Sequence, residues 1–172
     1  MKSQFFWTLL LLVGLAPCAF AQNNSAKDHY KKGEYYLSNA DYDLAITSFS
    51  MAIKLDSTDV NYFLQRGFCY NILKKHDEAV SDFTTAIQLN PENKFAFLSR
   101  GSAKNKIGAF ESAIADFDKV LLLDPSDQEA YNNRGFSKKQ LGDHKGACED
   151  WKTSKKMGNK EAPIILKNNN CK

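Results

Sequence analysis

Apolar side chains recur three and four positions apart through residues 26–161, in segments about as long as a short helix, broken by polar turns. Residues 60–93 show the pattern most fully: two amphipathic helices joined by a turn and closed by Pro91. The same pattern occurs once before this stretch and twice after it, always 34 residues away. Gly33, Gly67, Gly101 and Gly135 hold one place in the period, and Ala45, Ala79, Ala113 and Ala147 a second. Phe49, Phe83, Phe117 and Trp151 hold a third. A fixed period of this size predicts stacked helical repeats with a continuous core.

The period divides the chain into repeats at 26–59, 60–93, 94–127 and 128–161. In each, a first helix carries the glycine and a second carries the Ala-x-x-x-aromatic pair. Glycine and alanine belong where two helices approach closely, and the aromatic fills the space beside them. Pro91 and Pro125 stop the second helices. Asp41, Asp77 and Asp143 offer caps or favourable charge at the starts of second helices. After the fourth repeat, residues 160–172 read as a capping helix and tail. Gly158 ends the preceding helix, Pro163 suits a first turn, and Ile164, Ile165 and Leu166 supply an apolar face. A helix over 160–169 would cover the last open interface of the stack.

These residues resemble the tetratricopeptide repeat, whose signature is Gly-x-x-Tyr, then Ala-x-x-x-Phe, then Pro over 34 residues. Repeat two has all of it in Gly67, Tyr70, Ala79, Phe83 and Pro91. Repeat one has Tyr36 but Ser57 for proline. Repeat three has Lys104 for tyrosine. Repeat four has Lys138, Trp151 and Asn159 at the three variable places. The resemblance covers about four fifths of the chain. It implies an all-α, right-handed helix-turn-helix solenoid of four repeats. It also implies binding of other proteins in a concave groove, with no catalysis and no cofactor.

By the same analogy the groove is lined by first-helix residues. These are Tyr30, Lys31 and Glu34, then Leu64, Gln65, Phe68 and Asn71. Repeat three gives Phe95, Leu98, Ser99, Ser102 and Asn105, and repeat four Asn132, Asn133, Phe136 and Lys139. Some family members hold a peptide's terminal carboxylate through lysine, asparagine and arginine at fixed places. Leu64, Phe68, Leu98 and Ser99 stand there, which argues against such a clamp. Apolar anchors ringed by amides suit a peptide, with Leu64, Phe68, Leu98 and Phe136 as the expected anchors. Phe68 and Phe136 could equally pack against neighbouring helices.

Residues 1–21 form a separate unit. Lys2 precedes an apolar run over 5–16, and Ala19-Phe20-Ala21 is a small-x-small cleavage signal, the layout of a secretory signal peptide. The run is short for a membrane span, so membrane association is expected only if the leader stays uncleaved. Residues 22–25 read as a flexible lead-in. The expected product is an exported protein, periplasmic or extracellular. The chain has 172 residues and net charge +3; without Lys2 its 23 basic side chains become 22, against 20 acidic. That balance gives no footprint for nucleic acid.

Candidate chemistry is sparse. His76 and His144 share a repeat position with Tyr42 and Phe110, which an aromatic packing role explains. His29 stands alone, and no two histidines share a repeat, which disfavours a metal site. No serine lies in a G-x-S-x-G motif. Neither an enzyme nor a small-molecule substrate is expected.

Arg66, Arg100 and Arg134 recur at 34, as do Asp82, Asp116 and Asp150. They could form a basic row for a ligand or a structural ladder of Arg–Asp pairs, and equal numbers at matching places favour the ladder. A structural subunit that uses its convex face is the alternative to a groove binder.

The four cysteines are Cys18, Cys69, Cys148 and Cys171, with no C-x-x-C pair. Cys18 leaves with the leader, and Cys69, near Gly67, reads as core. Export then allows a bridge between Cys148 and Cys171. From Cys148 to the helix end near Met157 is about 14 Å, and a returning cap of about ten residues covers about 15 Å. Two unrelated thiols are the alternative.

Overall fold

The computed structural model describes residues 25–171, in which nine α-helices and no strands occur. They are α1 (Ala26–Ser38), α2 (Tyr42–Leu55), α3 (Val60–Ile72), α4 (His76–Leu89) and α5 (Lys94–Lys106), then α6 (Phe110–Leu123), α7 (Gln128–Gln140), α8 (His144–Lys156) and α9 (Ala162–Asn168). The leader, residues 1–21, and most of the lead-in lie outside the described residues. Ser25 is the N-cap of α1: its hydroxyl accepts from the Asp28 N–H while the Asp28 carboxylate accepts from the Ser25 N–H, a reciprocal cap.

The chain is a right-handed-repeat type of helical solenoid. Each first helix (α1, α3, α5, α7) packs on the second helix of its own repeat, and each second helix packs on the first helix of the next. First helices also meet one another, α3 with α5 and α5 with α7. That side of the stack is therefore the tighter, concave one.

The core follows the period. Ala45, Ala79, Ala113 and Ala147 are fully buried, and Phe49, Phe83, Phe117 and Trp151 lie beside them, at most 3% exposed. The glycine on the facing helix makes the room: a Cβ on Gly101 would come within 2.7 Å of Phe117 Cε1. Close packing of this kind tolerates no added methyl without a shift of the ring.

First helices are capped by side chains: Asp59, Asn93 and Asp127 each accept from N–H groups one turn in. Second helices differ. Asp143 accepts from the Gly146 N–H at 2.8 Å, but Asp41 makes no side-chain cap bond. Asp77 lies inside the first turn of α4, where it acts through charge alone. The turn before each second helix passes through a left-handed residue: Ala40, Lys74, Gly108 and Gly142, with φ from 60° to 85°.

The cap α9 is shorter than the expected 160–169. Pro163 stands in its first turn. Ala162 and Leu166 are buried while Ile164 is 64% exposed, so the apolar face is carried by Ala162, Ile165 and Leu166 rather than by Ile164. No helix among the described residues is long and apolar enough to cross a membrane.

Candidate functional site

Two systems of recurrent polar residues occupy the stack. The first is a ladder. Arg66 donates from Nε and Nη2 to both carboxylate oxygens of Asp82, at 2.8 and 2.7 Å. Arg100 does the same to Asp116 at 3.0 and 2.7 Å, and Arg134 to Asp150 at 2.9 and 2.6 Å. The remaining nitrogen of each arginine crosses to the preceding repeat, reaching Ser50, Thr84 and Asp118 in turn. Each guanidinium also lies over an aromatic ring: Phe63 and Tyr70, Phe97, and Tyr131. The ladder begins at repeat two; repeat one carries Lys32 and Ser48 at the matching places, so the pair cannot form there.

Hydrogen bonding to Asp82 holds the Arg66 pKa up despite burial. At Arg134 burial opposes the charge, but bonds to Asp150 and Asp118 more than offset it, and its pKa is also raised. The carboxylates are 3–4% exposed. These arginines are committed to structure, and a ligand cannot reach them without breaking the pairs.

The second system is the concave surface. At its C-terminal end α5, α7 and α9 enclose a cleft of about 470 Å³. The first two helices contribute Ser102, Asn105 and Lys106, then Glu129, Asn132, Asn133, Phe136 and Lys139; Trp151 forms part of the base, and Ile165 and Asn169 come from α9. The structure thus brings together six expected groove residues: Ser102, Asn105, Asn132, Asn133, Phe136 and Lys139.

The others are placed differently. Leu64 is 9% exposed and packs with Phe63, Ala79, Phe83, Ala86, Ala96 and Ala103, so it is a core residue and not an open anchor. Ala96 and Ala103 on α5 are small and let it sink. Leu98 is half-buried against the Phe97, Val120, Leu121 and Ala130 cluster. Phe68 is 40% exposed, Phe95 49% and Phe136 43%. Tyr30 lies against Phe49 and Tyr62, with ring centres 5.7 and 5.1 Å away. Burial, then a hydrogen bond with Glu34, pushes its phenol up to about 12, although a bond with Gln65 opposes the shift.

Most groove amides are already engaged. Asn71 Oδ1 lies 2.8 Å from His76 Nδ1. Asn105 accepts from the buried Ser137 hydroxyl at 2.7 Å and donates to the Asn133 carbonyl at 3.3 Å. Asn133 donates to the Ser102 hydroxyl at 3.4 Å. This network ties α5 to α7. Asn132 stands apart: its carbonyl accepts from Trp151 Nε1 at 3.1 Å, but its side-chain Oδ1 is buried without a partner.

Sequence reasoning missed Lys106, Glu129, Trp151, Ile165 and Asn169 as cleft residues. The apolar face of the cap was readable, but which part of it would reach the groove was not. No group of three or more His, Cys, Asp or Glu side chains that could hold a metal occurs among the described residues.

Cys148 and Cys171 lie paired, their Cα atoms 5.5 Å apart, joining α8 to the end of the cap. Cys69 is a free, buried thiol that burial pushes up to about 11.

The tetratricopeptide repeat family model matches residues 60–93, and a second model of the same description matches 29–59 and 96–127. The chain belongs to the tetratricopeptide repeat family. Residues 128–161 repeat the same helix pair. Among solved structures it resembles YrrB, described as a TPR protein with an unusual peptide-binding site: TM-score 0.80, 20% identity, 86% of this chain and 76% of that one. It resembles the first TPR of Spaghetti (RPAP3) bound to the HSP90 peptide SRMEEVD, with TM-score 0.66 and 30% identity over 69% of this chain and 94% of that one. The second TPR domain of human RPAP3, in complex with the HSP70 peptide SGPTIEEVD, gives 0.63 and 29% over 66% and 94%. A search of curated proteins finds no match. Tetratricopeptide repeats form a scaffold for protein–protein interaction, and that is the class of this chain.

Proposed function

We propose that this tetratricopeptide protein is exported, and that it captures a partner protein by binding a peptide segment in its concave groove without catalysis. The observation that carries the groove is the cleft between α5, α7 and α9, where exposed apolar surface on Phe136 stands among the amide-bearing residues Asn105, Asn132 and Asn133. Clefts of a few hundred Å³ with apolar walls and few polar groups are the usual form of binding sites. Export is supported by the leader pattern of residues 1–21 and by the Cys148–Cys171 pair, which suits an oxidising compartment.

The test is capture of partner from envelope extract by the intact chain. Phe68→Glu and Phe136→Glu place charge on exposed groove rings and should abolish capture while the helical circular dichroism is unchanged. Leu64→Glu is unsuitable, because a charge in that core position would unfold the repeat. The rival reading is a structural subunit docked outside the groove. Leu55, Leu89, Leu123 and Met157, at the C-terminal ends of the second helices and 36–52% exposed, give it a surface. Capture that survives both groove variants and fails with Leu89→Glu would favour it.

A further inference from the structure

Charge is unevenly spread along this chain. Residues 144–172, from the start of α8 onward, hold seven lysines and no arginine, against three acidic side chains. Residues 22–143 hold 15 basic side chains against 17 acidic. One of the three acids, Asp150, is already committed to Arg134 and Lys138. Lysines in a last turn suit the helix dipole. Those of α5 and α7 also serve the ladder, Lys104 on Asp116 and Lys138 on Asp150. Lys155 and Lys156, in the last turn of α8, are exposed and pair with no carboxylate among the described residues.

These lysines border apolar surface. Between α8 and the cap lies an open pocket of about 520 Å³. Its walls are Lys152, Lys155, Lys156, Pro163, Leu166 and Cys171, with no acidic side chain among them. Next to Pro163, the outer side of α9 carries Ile164, 64% exposed, and Lys167, also exposed. Met157, 43% exposed, ends α8, and Lys160 is exposed in the loop that follows. Ile165 and Asn169, which wall the groove cleft, lie on another side of the same helix. Single exposed apolar side chains need no explanation. Ile164 and Met157 differ in standing within a ring of lysines, the pattern of a surface that meets headgroup charge and the edge of the acyl chains together.

We propose that the C-terminal end of the solenoid, α9 with the last turn of α8, docks on an anionic phospholipid surface. Headgroup phosphates lie against Lys155 and Lys156, and Ile164 and Met157 enter the boundary between headgroups and acyl chains. Lysine suits this role, because a compact charge on a flexible stem needs no fixed partner geometry. The three arginines, by contrast, are all held in the ladder. A small anion inside the pocket would leave Ile164 and Met157 uncovered, whereas a bilayer covers them. The contact needs no leader and does not rest on the groove reading.

The test is flotation of residues 22–172, which include every helix described above and lack the apolar leader. The vesicles are equal parts phosphatidylglycerol and phosphatidylcholine. The chain should float with these, stay behind with pure phosphatidylcholine, and be released by salt. Lys155→Gln with Lys156→Gln should weaken binding about 25-fold, at about fivefold per lysine near an anionic surface. Ile164→Ser should weaken it about tenfold, the loss of one aliphatic side chain from apolar surroundings. Lys54→Gln with Lys74→Gln removes the same charge in repeats one and two, remote from the cap, and should leave binding nearly unchanged. All five side chains are exposed, and unchanged helical circular dichroism checks that each variant folds. Equal weakening by the two lysine pairs would reduce the effect to net charge and overturn the docking face. Indifference to Ile164→Ser would mean an anion held by lysines alone, and would overturn the membrane contact. Failure to float with phosphatidylglycerol vesicles would also overturn it, whether or not soluble polyglutamate binds instead and marks the face as one for an acidic protein.

Discussion

Arg100 grips Asp116 through two parallel hydrogen bonds of 3.0 and 2.7 Å, and a second cation, Lys104, reaches the same carboxylate at 2.8 Å. The same triplet recurs one repeat later in Arg134, Asp150 and Lys138. In repeat two Tyr70 holds the place of the lysine and stacks on Arg66 instead. The lysines at 104 and 138 are thus not lapses from the Gly-x-x-Tyr signature. They exchange an aromatic contact for a charge that supports a buried aspartate.

That exchange predicts unequal costs for one substitution. Arg66→Ala leaves Asp82, 4% exposed, with no other cation, and should cost about 4 kcal/mol, as removal of one member of a buried pair does. Arg100→Ala leaves Lys104 on Asp116 and should cost about 2 kcal/mol, since the charge stays compensated. Urea unfolding of the two variants gives the comparison. Equal losses would show that Lys104 does not support Asp116.

The four turns that join the two helices of each repeat give a second contrast. Lys74 and Gly108 hold equivalent places with φ of 61° and 79°. A side chain is disfavoured in that region by roughly 1 kcal/mol or more. Nothing lies within 4 Å of a Cβ built on Gly108, so its effect is purely conformational. Lys74→Gly should raise stability, and Gly108→Ala should lower it, each by about 1 kcal/mol. Melting temperatures that move in the same direction for both would contradict this.

The fold was legible because every repeat restates it: Gly101 beside Phe117 is Gly67 beside Phe83 again. The arginine ladder was legible for the same reason, since both partners recur at one spacing. The groove was only half legible. Helical spacing places Leu64 and Phe68 on the same first helix, but it does not say how deep a neighbour's side chains reach. Ala96 and Ala103 leave room that Leu64 fills, whereas Phe68 keeps 40% of its surface in solvent. The amides misled similarly: Asn71 and Asn105 face the right way but bond to His76 and Ser137. The part played by Ile165 depends on how the cap docks, which no repeat period encodes.

The loop joining repeats three and four carries a pH-sensitive tie. Lys94 bonds to Asp124 at 2.6 Å and reaches Asp127 at 3.1 Å. The Lys94 ammonium, with help from Ser126, holds the Asp124 carboxyl down at about 2. A lowered carboxylate pKa contributes stability above the unfolded value, near 3.8, and that contribution disappears as pH falls from about 4 to about 2. Both side chains are partly exposed, so salt weakens the tie. The carboxyl carbon signal of Asp124 should titrate near 2, and in Lys94→Ala it should move up toward 3.8. An unchanged midpoint would mean that Ser126 alone sets the value.

The cap should depend on the Cys148–Cys171 link more than any other element does. The two cysteines are 23 residues apart, and closing a loop of that size stabilises by about 3 kcal/mol when unfolded-chain entropy is the cause. The seven-residue α9 otherwise relies for burial on Ala162, Leu166 and the half-buried Ile165. Cys148→Ser with Cys171→Ser should leave the other helices folded, because the ladder and the Phe49, Phe83 and Phe117 core do not touch the cap. Amide exchange in α9 should then accelerate about a hundredfold or more, as expected for a cap that has lost about 3 kcal/mol of tethering. Thiol counting on the denatured, unreduced chain checks the premise: with the leader removed, Cys69 should be the one reactive thiol. If α9 exchanges at the same rate in the double variant, Leu166 packed on Trp151 suffices to hold the cap and the link is dispensable for it.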